Sequence, residues 1–61
     1  MIEAGRDAWL RPEEPNGRWR KVRVTGHHAV DGRHEAVIAL EAYGLTWHAR
    51  CPAERLETRD G

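Results

Sequence analysis

This chain never runs far without a turn signal. Pro12 to Gly17 (PEEPNG), Asp31-Gly32, Ala42-Tyr43-Gly44 and Cys51-Pro52 cut it into short pieces. Asn-Gly and Asp-Gly favour the positive backbone φ that tight hairpin turns require, and the pieces between are rich in Val, Ile, Thr and Trp. Short apolar runs stand where a helical bundle needs long periodic ones, and this spacing predicts a small β-meander.

The first strand is expected over Arg6 to Arg11, with Ala8 and Leu10 on one face and Trp9 on the other. Over Arg18 to Thr25, Val22 and Val24 alternate with Lys21, Arg23 and Thr25 at the period of two of a half-buried strand. His34 to Glu41 is apolar on both faces through Ala36-Val37-Ile38-Ala39-Leu40, which predicts the strand with the most cover. Leu45 to Cys51 sets Leu45, Trp47, Ala49 and Cys51 on one side and Thr46, His48 and Arg50 on the other, and Pro52 ends it. Pro52 to Leu56 suits one 3₁₀ turn, and Leu56 to Arg59 makes a brief closing strand. A helical reading of Val30 to Tyr43 stays open on its Ala, Glu and Leu content. Against it, Gly32 and Gly44 bound the stretch and the β-branched pair Val37-Ile38 sits at its centre. The fold class expected is all-β: a five-stranded, SH3-like (Tudor-like) small barrel with a long first loop and a 3₁₀ turn before the last strand, which limits exposed sheet edges by nearly closing on itself.

At 61 residues the chain makes one domain, 1–61, with residues 1–5 and 60–61 expected to fray. A domain this small hides only about 60% of its unfolded surface, so its core is small and a water-free active site is hard to build. Ten Lys and Arg balance ten Asp and Glu, giving a formal charge of zero with the four His neutral. That excludes a polycation, and any attraction for phosphate must come from a local patch. The single Cys51 and the absence of an apolar run in Met1 to Arg6 point to a cytoplasmic protein. Ala36 to Leu40 is far shorter than the roughly 18 to 20 residues of a membrane span.

Asn16-Gly17-Arg18-Trp19-Arg20-Lys21-Val22-Arg23-Val24 resembles a Tudor-type opening, in which Asn or an acidic residue and Gly precede a Trp-led strand. Asp31-Gly32, Val37 to Leu40, Ala42-Tyr43-Gly44 and Glu54-Arg55-Leu56 are similar to the Tudor succession of hairpin turn, strand, Tyr-Gly turn and closing Leu. The resemblance covers roughly residues 7 to 59 and implies a fold more than a function. Tudor readers of methylated Lys or Arg hold the cation among aromatic faces. Tyr43 matches one such position and Trp9 offers a wall. Arg20 and Leu40, however, stand where the cage would be aromatic, and Leu45 replaces the polar residue after Tyr-Gly. The resemblance therefore does not extend to reading methyl marks. Bacterial modules of this kind touch RNA polymerase and other nucleic-acid machinery, so it implies a small bacterial or phage protein with a partner in transcription.

Arg18, Arg20, Lys21 and Arg23, interleaved with Trp19 and followed by His27 and His28, form the strongest local charge feature and the candidate nucleic-acid-binding set. The alternative is a solvated strand face paired across to Glu35, Glu41 or Glu57, and the neutral overall charge favours it. Glu13, Glu14, Glu54, Glu57 and Asp60 gather in the loop and C-terminus, which makes the surface dipolar. His27, His28, His34, His48 and Cys51 lack the paired spacing of a zinc site, so no metal and no cofactor is expected. Cys51 before Pro52 reads as a small buried hydrophobe.

Trp19 is assigned to the core. Trp9, Tyr43 and Trp47, with Arg20, are the candidate partner-binding residues. They are expected to rim a groove between the loop Pro12 to Arg18, a second loop Gly26 to Arg33 and the Tyr43-Gly44 turn. No Gly-rich phosphate loop, paired-carboxylate motif or Ser-His-Asp order is present, so an enzyme is not expected. The leading expectation is a binding module for a protein partner, docked in the groove or added as a strand to an open edge. Direct DNA or RNA binding through the basic strand, and a small subunit of an oligomeric assembly, are the alternatives.

Overall fold

Two hairpin tips set the architecture. Asp31 and Gly32 take φ of 49° and 75°, and Tyr43 and Gly44 take 54° and 75°. Positive φ at both central residues defines the two-residue turn whose twist matches that of the flanking strands. In the computed structural model, which describes residues 2–58, these tips join β2 (Arg20–Val30) to β3 (Arg33–Ala42) and β3 to β4 (Leu45–Pro52). Ahead of them lies β1 (Asp7–Leu10), and after them come a 3₁₀ turn, η1 (Ala53–Arg55), and β5 (Leu56–Glu57).

All pairings are antiparallel, in the order β4-β3-β2-β1-β5. The all-β class and the 3₁₀ turn before the last strand agree with the sequence reading. The sheet is not closed among the described residues: β4 and β5 stand at opposite edges. The helical alternative for 30–43 does not form, since the two-residue turns leave no length for it and β3 pairs on both sides. The expected extension of the closing strand to Arg59 lies outside the described residues.

The expected loop from Gly26 to Arg33 is strand instead, apart from the two-residue turn Asp31-Gly32. β2 continues to Val30 across a bulge, where Val24 faces Ile38 and Gly26 faces Val37, leaving Thr25 as the extra residue. Thr25 Oγ1 donates to the Val37 carbonyl at 3.2 Å and seats the bulge. The N-terminal segment runs beside this half of β2: Gly5 N–H donates to Val24 O at 2.7 Å, and Val24 N–H to Arg6 O at 2.9 Å. Residues 2–5 are thus seated on the sheet, with Ile2 packed against the core.

That core is made of Ala8, Val22, Val24, Ala36, Ile38, Cys51 and Leu56, with Leu10 and Leu40 against it. It contains no aromatic ring. The assignment of Trp19 to the core is corrected: it is half-buried, sits in the loop before β2 begins and is not part of the core cluster. Bulk comes from Ile38 and Val24, the largest fully buried side chains. Among the described residues no helix is long and apolar enough to cross a membrane.

Candidate docking face and basic cleft

Strand alternation divides the basic run of the sequence. Val22 and Val24 point into the core, so Arg20 shares their face while Lys21 and Arg23 point outward. Lys21 Nζ lies 3.8 Å from one Asp7 carboxylate oxygen and Arg23 Nε 3.4 Å from the other. The expected partners Glu35, Glu41 and Glu57 are not used; register puts Asp7 directly across from Arg23. These pairs are half-exposed or more, so each contributes about 0 to 1 kcal/mol.

Arg18 and Arg20 go elsewhere. They line a cleft between the 11–19 loop and η1, together with Leu10, Pro12, Arg11 and Arg55. Arg11 is engaged by Glu57 at 3.6 Å, and Arg55 by Glu13 at 3.6 Å and the Arg11 carbonyl. Arg18 and Arg20 are exposed and make no ion pair among the described residues. Sequence reading missed Arg11 and Arg55. They meet only because Arg11 N–H donates to Arg55 O at 2.9 Å across most of the chain's length, a contact without a local signature.

The large exposed hydrophobic residues sit on one hairpin: Tyr43 is fully exposed, Leu45 58% and Trp47 55%. Leu45, Trp47 and Ala49 share the inward face with buried Cys51, so an apolar strip continues past the core along β4. The outer side of β4 has no strand partner among the described residues. The structure brings Tyr43 and Trp47 together at the same hairpin and places Trp9 apart. Trp9 lies on the outward face of β1, opposite Ala8, and pairs with Lys21 and Glu57 in register. With Gly26 to Arg33 in the sheet, the expected three-sided groove lacks its second loop.

The histidines divide as well. His28 and His48 are exposed, whereas His27 and His34 are half-buried. Because a carbonyl can only accept, His27 Nε2 donates to Ile2 O, and His27 Nδ1 then accepts from His34 Nε2 at 2.8 Å. No group of three or more His, Cys, Asp or Glu is arranged to hold a metal among the described residues.

Cys51 is buried, 4% exposed. Burial pushes its thiol up from the ordinary 9.0; the Arg55 guanidinium opposes this and the Glu35 carboxylate adds to it. The folded state therefore holds the thiol proton more tightly than the unfolded chain does. The stabilisation is present below the unfolded value and is lost as pH rises through about 9 and beyond. Iodoacetamide at about pH 8 is expected to label Cys51 slowly in the native protein and quickly in denaturant, read by mass spectrometry.

Compared with protein-family models, curated proteins and solved structures, the chain matches none.

Proposed function

We propose that this chain is a small non-enzymatic docking module that binds a protein partner through the tip and inner face of the β3–β4 hairpin. Its open sheet is read as a member of the SH3-like, Tudor-resembling class, on strand number, antiparallel order and the 3₁₀ turn before the last strand. One observation carries the docking reading: Tyr43, Leu45 and Trp47, the large exposed hydrophobic side chains, fall within five residues on one hairpin. Aromatic residues concentrate binding energy at interfaces. Tyr43 adds a second mark, since it holds a φ of 54° while fully exposed, a conformation costly for a bulky residue and repaid by no packing of its own. Within this reading the partner belongs to transcription or other nucleic-acid machinery, as the family resemblance implies.

Tyr43→Asn is the direct test. Asn suits positive φ better than Tyr, so the variant is expected to be at least as stable as the parent in urea denaturation. The same variant should lose affinity for a partner captured from host extract, as should Trp47→Ser. Undiminished capture by both variants refutes the docking face.

Direct DNA or RNA binding is the second reading, favoured by the lack of an ion pair for Arg18 and Arg20 among the described residues. It requires binding to mixed oligonucleotides that weakens steeply with salt. Silence at low salt removes it.

A further inference from the structure

We propose that the cleft between the 11–19 loop and η1 is a carboxylate-binding site, which takes Asp or Glu side chains of an acidic, apolar-anchored segment of the protein partner. This rests on the docking reading above and specifies its ligand.

Three observations carry it. Arg11 and Arg55 are already engaged by Glu57, Glu13 and backbone carbonyls and frame the cleft. Arg18 and Arg20 line the same cleft, exposed and in no ion pair among the described residues, while Glu13, one of the cleft's two acids, is engaged by Arg55. A guanidinium fork matches a carboxylate in geometry as well as in charge. Topology also puts the cleft and the apolar hairpin at one end of the sheet: β1 ends at Leu10, β2 begins at Arg20, β3 ends at Ala42 and β4 begins at Leu45. A segment crossing that end can set a carboxylate against Arg18 and Arg20 and an apolar side chain against Leu45 and Trp47.

The same geometry disfavours a phosphate backbone. Lys21 and Arg23, which would extend the track, lie on the opposite face of β2, in a depression shared with Asp7 and Glu41. A polyanion following the basic run would have to cross from one face of the sheet to the other, whereas a single carboxylate needs only the Arg18 and Arg20 side.

The experiment uses the full chain labelled with ¹⁵N, titrated with a blocked peptide of repeating Glu-Asp-Leu, its Gln-Asn-Leu counterpart, and oligothymidylate. The acidic peptide is expected to shift the Arg18 and Arg20 side-chain Nε resonances saturably and to bind about tenfold more tightly than the amide peptide, the effect of one charge-assisted pair. Arg18→Gln, which alters a loop position outside the strands, should abolish that preference, and Lys21→Gln on the other face should leave it intact. Equal affinity for both peptides, with shifts confined to residues 42–47, overturns the carboxylate site while sustaining the docking face. Equal losses from Arg18→Gln and Lys21→Gln overturn it in favour of diffuse electrostatics. Oligothymidylate binding more tightly than the acidic peptide overturns it in favour of nucleic acid, and no shift at Arg18 or Arg20 with the acidic peptide overturns it outright.

Discussion

Ile38→Ala is expected to remove about 3 kcal/mol of stability. Ile38 is 1% exposed at the centre of β3, paired with Val24 on one side and Ala49 on the other. Its neighbours in the core are small, Ala8, Ala36, Val22 and Cys51 among them, so none can swing in to refill the space. A chain of 61 residues has a total stability of about 3 to 9 kcal/mol, so the loss takes a third of it or more. Urea denaturation followed by Trp fluorescence measures this, and a loss below about 1 kcal/mol would show that the interior is not built around Ile38.

The second large effect is expected at Gly17. Its φ is not among the positive ones, so its freedom in the left-handed region is not what the loop uses. What matters is the missing side chain. A Cβ at this position would stand 2.6 Å from Pro12 Cβ and 3.2 Å from Glu14 O, and the Pro ring is not a flexible end that can move aside. Gly17 N–H also donates to Glu14 O at 2.9 Å, closing the loop on itself. Gly17→Ala is expected to cost about 1 to 3 kcal/mol through overpacking. Amide shifts should concentrate over residues 11–20, where the cleft carrying Arg18 and Arg20 is built. A variant with native stability and unshifted loop amides would show that Pro12 yields.

The hairpins were legible because their signals are local. Asp31-Gly32 and Tyr43-Gly44 read directly as turns, and β3 and β4 followed to within one residue of their bounds. What escaped was non-local or broke the pattern. The second half of β2 carries Gly26, His27 and His28 beside an Asp-Gly turn, a composition that reads as loop. It is strand because β3 opposite supplies a full row of partners, and the bulge hides this by interrupting the period of two. Trp19 was placed inside on size alone. The interior is instead lined with small and β-branched residues, and Trp19, one position ahead of the first paired residue of β2, is half-buried outside that set.

The basic cluster was visible as a run, yet only its position on a pleat could show that Arg20 belongs with Arg11 and Arg55 rather than with Lys21. The apolar face of β4 was read correctly as Leu45, Trp47, Ala49 and Cys51, whereas its exposure depends on how far the sheet curls, which no local pattern encodes.

Thr25 works as a phase shifter. Ahead of it the even-numbered side chains of β2 look inward; behind it the odd-numbered ones do, which is how His27 comes to meet His34 and Ile2 while His28 faces water. Excising that single residue would exchange the two histidines and rotate everything from Gly26 to Val30 by half a turn about the strand. The register of this small protein is therefore more vulnerable to a change in chain length at one surface position than to most exchanges of side chain around it.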